Sequence, residues 1–171
     1  MNKKAELHDA VLEAITTALL QLMETKKLKD IGISELCQRA GVSRISFYRN
    51  YRSKEEILKK YLTRCTDEWW EDFTCKSEED FTRYFLIELL DQYRTNANLI
   101  NLLYKNHVSF IVKDHIFDCC DPNPRRDDVD SYSRAVLAGA LYGLVDEWIR
   151  RGMKPLPEGF QLNKIRMEMP R

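Results

Sequence analysis

Apolar positions recur along most of the chain every three to four residues, the spacing of amphipathic helices, and strict alternation of the strand kind is hard to find. Over residues 5–25, Val11, Leu12, Ile15, Leu19, Leu22 and Met23 form one buried stripe. A basic link, Lys26-Lys27-Leu28-Lys29, follows. Ser34 reads as the N-cap of a short helix, 35–40, which Gly41 stops, since glycine best tolerates a left-handed helix end. Ser43 caps a second short helix, 44–51. There Phe47 and Tyr51 share one face, and Arg44, Ile45, Tyr48 and Arg49 are left to look outward. Ser53 and Glu56 bracket a capping box that opens a long helix to about residue 73.

Further along, residues 78–94 carry Phe81, Tyr84, Phe85, Leu86, Leu89, Leu90 and Tyr93 at helical spacing, and 97–120 reads as two helical pieces. Residues 121–128, Asp-Pro-Asn-Pro-Arg-Arg-Asp-Asp, form the clearest loop. A long helix over 129–151 ends at Gly152, Pro155 and Pro157, and one short helix is expected in 158–169. The expectation is an all-α protein of about nine helices: a three-helix headpiece over 1–52 and a helical body over 53–171.

Composition sharpens that division. The 27 basic and 27 acidic residues cancel, yet residues 1–64 hold 13 basic against 8 acidic and residues 65–171 hold 14 against 19. The overall balance points to no partner, but a basic amino-terminal third is attached to an acidic remainder. The five cysteines are odd in number and form no CxxC pair, as in reduced intracellular proteins, and no stretch has the roughly 18–20 apolar residues needed to cross a bilayer. A cytoplasmic protein with no membrane partner is expected. No glycine-rich phosphate loop, no His-Glu-x-x-His and no recognisable pair of catalytic carboxylates points to an enzyme, and no cofactor is implied.

Two short helices joined by a small turn containing glycine, the second opening on hydroxyl and basic residues, form the pattern of a helix-turn-helix. Residues 44–54 hold Arg44, Arg49, Arg52 and Lys54 without one acidic residue, a positive strip suited to a phosphate backbone. A strip of this kind also occurs as a plain solvated face, so its neighbours matter. The stretch 33–58, ISELCQRAGVSRISFYRNYRSKEEIL, with the preceding helix and the following capping box, resembles the signature of the tetracycline-repressor family of regulators over about residues 8–64. The resemblance implies a dimeric regulator, in most cases a repressor, that binds double-stranded operator DNA and is released by a small-molecule effector. It also implies phosphate contacts by Ser43, Tyr48 and Lys54, and contacts to base edges or neighbouring phosphates by Arg44, Ile45, Ser46, Arg49 and Asn50. Gly32 stands where threonine is frequent in the family, and Ser34 is the candidate replacement for that hydroxyl.

For the body, the aromatic and imidazole groups Tyr84, Tyr93, Tyr104, His107, Phe110, Phe117 and Trp148 are candidates to line an effector pocket, against the plainer reading that such stripes are core. In the helix 129–151, small residues among large apolar ones suggest a self-association surface, with Ala138, Leu141, Tyr142 and Val145 as the expected contacts, against the reading that this is the central core helix. His115 and Cys119, four apart, are set aside as a metal site for want of further ligands, and Cys119-Cys120 offers an oxidant-sensing alternative. A different functional class also stays open, a coregulator whose body works through a protein partner rather than an inducer.

Overall fold

The structure is a computed structural model in which residues 3–73, 81–120 and 128–156 are described. Among them lie eight α-helices, one 3₁₀ turn and no strand: α1 Lys3–Thr25, the turn Leu28–Asp30, α2 Ile33–Ala40, α3 Arg44–Asn50, α4 Lys54–Asp72, α5 Phe81–Thr95, α6 Ala97–Lys105, α7 Phe110–Cys120 and α8 Asp128–Arg150. The loop expected at 121–128 lies, apart from its last residue at the start of α8, outside the described residues, as does the short helix expected in 158–169. No described helix is long and apolar enough to cross a membrane.

Local chemistry explains most of the boundaries. Gly41 adopts φ +66° and ends α2 with its N–H on the Cys37 and Gln38 carbonyls, a left-handed stop that a residue with a Cβ enters only at a cost. Ser43 caps α3 by accepting from the Ser46 amide at 3.0 Å. Ser53 accepts from the Glu56 amide at 3.2 Å, and the Glu56 carboxylate returns to the Arg52 amide at 2.6 Å, one residue before the position that the simple box would use. The bond from the Arg52 amide, with the Lys60 ion pair, holds the Glu56 carboxyl below the usual range. One expectation fails here. Gly32, not Ser34, is the N-cap of α2; the helix begins one residue before Ser34, which becomes an exposed first-turn residue.

The break between α6 and α7 has a backbone cause. Asn106 caps α6 and His107 turns left-handed at φ +59°, directing the chain into α7. Gly152, at φ +79°, stops the chain just past α8.

One continuous apolar core runs through headpiece and body: Ile15, Leu19 and Met23 of α1, Leu36 of α2, Phe47 of α3, Ile57, Leu58 and Leu62 of α4, Leu103 of α6, Val112 of α7 and Val145 of α8. α4 is the joint between the two halves, packing on α1 at one end and on α7 at the other. Polar ties reinforce it. The Leu28 amide donates to Asn106 Oδ1 at 2.6 Å, and Lys105 reaches the Glu24 carbonyl at 3.1 Å.

Candidate nucleic-acid interface

In α3 the seven residues divide between two faces. Phe47 is fully buried and the following Tyr51 nearly so, their rings 6.1 Å apart, which anchors the helix on α1 and α2. On the other side Arg44, Ile45, Tyr48 and Arg49 stand exposed and line one shallow open depression. Ile45 is 73% and Tyr48 55% exposed. An exposed Ile with two Arg and a Tyr around it has no use in the core of a single chain, but suits a surface that receives another molecule.

The chemistry of that face is a set of cationic forks flanking an aliphatic knob and a phenol. The guanidiniums can bridge guanine O6 and N7, Ile45 can press a thymine methyl, and the Tyr48 hydroxyl can reach a phosphate oxygen. Tyr48 is braced by an edge-to-face contact with Phe47 at 5.2 Å between ring centres, so its direction is set from within the core.

The remaining expected contact residues are engaged differently. Ser43 and Ser46 are linked through their hydroxyls at 3.2 Å, and Ser43 is exposed beside the free amides that open the helix. Asn50 is half-buried and donates to its own Ser46 carbonyl at 2.8 Å, which turns its amide along the helix rather than away from it. Lys54 donates to the carbonyls of Leu28 and, at 2.6 Å, of Ile31. Two of its three donors thus close the end of the 3₁₀ turn, leaving one for an outside anion. Sequence reasoning missed this bracing role, because it joins residues more than twenty positions apart. It also missed Lys60, which donates to the Asn50 carbonyl at the C-terminal end of α3 and lies over the Tyr51 ring.

In the body the seven candidate pocket residues do not share one environment. Tyr93 and Trp148 are core, 1% and 3% exposed, and the indole N–H of Trp148 donates to the Lys154 carbonyl at 2.6 Å. The hydroxyl of Tyr104 donates to Asp146 at 2.6 Å; burial and that carboxylate raise its pKa far above the ordinary phenol value. His107 and Phe110 are exposed at the α6–α7 break, and Phe117, half-buried, lies beneath the Lys113 ammonium. The side chain of Tyr84 falls outside the described residues.

The expected self-association residues also need correction. Ala138, Leu141 and Val145 are buried, with Tyr142 half-buried, on the side of α8 that packs inward, chiefly on α7. The opposite side carries Val129, Tyr132, Val136 and Leu137, between 52% and 77% exposed, with the exposed small residues Ala135, Gly139, Ala140 and Gly143 among them. α8 thus has two apolar stripes, and the residues expected at the interface lie on the inner one.

His115 is buried between α4 and α7, its ring nitrogens on the hydroxyls of Thr66 at 2.8 Å and Thr63 at 3.4 Å, with Cys119 Sγ 3.6 Å from Nε2. Burial lowers its pKa, and the Lys59 ammonium nearby adds to this, while Asp118 and Asp67 act the other way. Among the described residues no group of three or more His, Cys, Asp or Glu is placed to hold a metal. Burial pushes the Cys119 thiol up to about 11 and raises Cys120 too, the opposite of what a reactive thiolate requires.

Comparison with known proteins agrees with this geometry. Residues 15–61, from the middle of α1 into α4, match the family described as "Bacterial regulatory proteins, tetR family". A 45-residue stretch is 42% identical to the HTH-type transcriptional regulator EthR of Mycolicibacterium smegmatis, covering 26% of this chain and only 21% of that relative's length. Across most of the chain the fold is similar to the crystal structure of Lin0861 from Listeria innocua, with a TM-score of 0.65 at 18% identity over 88% of this chain and 84% of that one. The headpiece, with its helix-turn-helix over α2 and α3, is thus similar over residues 15–61 to the DNA-binding regulator domain of the tetR family of bacterial regulatory proteins.

Proposed function

We propose that the protein is a dimeric, sequence-specific transcriptional regulator, a repressor released from its operator when a small molecule enters the body, and that it works in the cytoplasm. The single observation that carries the reading is the exposed face of α3: Arg44, Ile45, Tyr48 and Arg49 project together while Phe47 and Tyr51 lock the other side of the same helix into the core. In the proposed complex α3 lies in the major groove. Arg44, Ile45 and Arg49 read bases, Tyr48 and Ser43 hold phosphates, and Ser46, Asn50 and Ser34 stay near the backbone. Lys54 offers its remaining donor to a phosphate while bracing the turn before α2.

One such headpiece reads too few base pairs for specificity, and two related by a twofold axis overcome this. The outer stripe of α8 is the surface we assign to that axis: Val129, Tyr132, Val136 and Leu137 supply apolar area, and Gly139, Ala140 and Gly143 allow a second helix close approach. The division at residues 52 and 53 falls immediately before α4, so the helix that would transmit an effector's presence belongs to the body and touches the headpiece directly.

The test begins with selection of bound fragments from genomic DNA, followed by gel retardation. Replacing Arg44 and Tyr48 together with alanine is expected to lower affinity for the selected fragment at least tenfold, since each good base or charged contact is worth roughly 1–3 kcal/mol. Affinity of the unaltered protein is expected to fall steeply between low and moderate salt. Unchanged retardation by a folded, dimeric double variant overturns the reading.

A further inference from the structure

Within the body one polar side chain is out of keeping with its surroundings. Gln92, in the middle of α5, is 5% exposed, and among the described residues neither its Oε1 nor its Nε2 has a hydrogen-bond partner. Trp69, near the end of α4, buries its indole N–H in the same unpartnered condition. Native interiors pair nearly all such atoms, because an amide taken out of water without a replacement bond is costly. Two unpartnered groups on adjoining stretches of one chain point to a common cause.

Their positions are related. Phe85, Leu89 and Gln92 follow at intervals of four and three, and so lie along one face of α5. The Trp69 ring packs 6.0 Å from that of Phe85, at the start of this face, with Trp70 and Phe73 completing an aromatic group. Two helical turns, about 10 Å, separate Phe85 from Gln92. The face therefore has an indole donor beside its first residue, a leucine in its middle and a carboxamide at its far end.

We infer that this strip is the effector site, and that its ligand is a neutral, elongated, mainly apolar molecule with a carboxamide or lactam at one end and a carbonyl oxygen at the other. The inference rests on the ligand-released reading above and narrows it to a chemical class. A glutamine offers a donor and an acceptor side by side, which another amide matches with two parallel bonds, whereas an indole N–H only donates and takes a carbonyl. Both groups are uncharged, and an ionised ligand would lose its hydration without gaining an opposite charge from either. Phe85 and Leu89 between them favour a flat or aliphatic middle.

The test uses the full chain without DNA, so its outcome is separable from that of the α3 reading. The probe is 4-acetylbenzamide, and its control is methyl 4-acetylbenzoate, which keeps the shape and both carbonyls but lacks the amide N–H. Binding is followed by intrinsic tryptophan fluorescence and by thermal shift. The unaltered protein is expected to bind the amide about tenfold more tightly than the ester, the scale of one or two neutral hydrogen bonds. Gln92→Leu is expected to fold, with a melting temperature at or above that of the parent, because it removes an unpaired polar group, and to lose the preference for the amide. Trp69→Phe is expected to weaken both compounds equally. Absence of saturable binding to the unaltered protein, equal affinity for amide and ester, or a preference that persists in Gln92→Leu overturns the inference.

Discussion

The outward face of α3 and the outward face of α8 are both exposed and both carry large side chains, yet they differ in kind. On α3 a single aliphatic residue, Ile45, and a phenol, Tyr48, sit between two arginines on a helix of only seven residues. On α8 Val129, Tyr132, Val136 and Leu137 share the exposed side with the small residues Ala135, Gly139, Ala140 and Gly143 along a helix of 23. The first face presents charge and hydrogen-bond donors to a polar, anionic partner, and the second presents apolar area with room for a backbone to come near. Under the proposed function the first surface holds DNA reversibly and the second holds a copy of the chain durably, and the two lie on elements far apart in sequence.

The largest expected effect attacks the support of the first face rather than the face itself. Phe47→Ala removes a fully buried ring from the junction of α1, α2 and α3, and is expected to cost about 3–5 kcal/mol in denaturant unfolding, with DNA retardation lost because the helix is no longer held. If Phe47→Ala unfolds near the parent's midpoint, α3 is held by something other than its core side.

The second face is probed from outside. Val136→Asp places a carboxylate on the exposed stripe, where the monomer's own stability is expected to change by no more than about 0.5 kcal/mol. Sedimentation is expected to report a monomer, since a pair of like charges would face each other across a twofold axis. Val145→Asp, on the fully buried inner stripe, is expected instead to unfold the body. A dimer that survives the first substitution would move the axis elsewhere.

These contrasts also explain what was legible in the sequence. The headpiece is governed by short-range rules. A serine three residues before its amide partner, a glycine that must turn left-handed and two aromatics four apart are all visible locally, and the caps at Ser43 and Ser53, the stop at Gly41 and the outward residues of α3 follow from them. Ser34 went astray by one short-range rule outranking another, since the helix started earlier on Gly32. The body is governed by long-range packing. In α8 both stripes are apolar, and periodicity gives the angle between Val136 and Val145 without saying which one meets α7. The bracing of the Leu28 and Ile31 carbonyls by Lys54, the burial of Tyr93 and the enclosure of Gln92 are likewise decided by partners that no local spacing records.

A smaller effect sharpens the headpiece side. Ser43→Ala deletes the N-cap bond to the Ser46 amide and is expected to cost about 1 kcal/mol in thermal or denaturant unfolding. It also removes a proposed phosphate contact, so DNA affinity is expected to fall by more than the loss of stability explains. Ser43→Asp restores the cap but brings a negative charge towards phosphate. Recovered stability without recovered binding would separate the two roles of this hydroxyl.

The smallest expected effect concerns the joint that connects the two faces. His115 lies between α4 and α7, facing Thr63, Thr66, Asp67 and the Lys59 ammonium from α4, and Asp118 and Cys119 from its own helix, where Lys59 and Asp118 are ion-paired at 2.6 Å. Burial holds its folded pKa below the ordinary imidazole value, so the unfolded chain binds the proton more readily than the folded one. Stability from the neutral ring is therefore complete above the unfolded value, about 6.5, and is lost as the pH falls from there through the depressed folded value. Acidification in that window is expected to lower the melting temperature of the unaltered protein, and His115→Gln, which keeps an uncharged hydrogen-bonding group beside Thr66, is expected to flatten the dependence. The carboxylates Asp67 and Asp118 oppose the shift, which is why the effect is ranked last. An identical pH slope in the variant would mean that the α4–α7 contact carries no protonation energy of its own, and that acid sensitivity arises elsewhere in the fold.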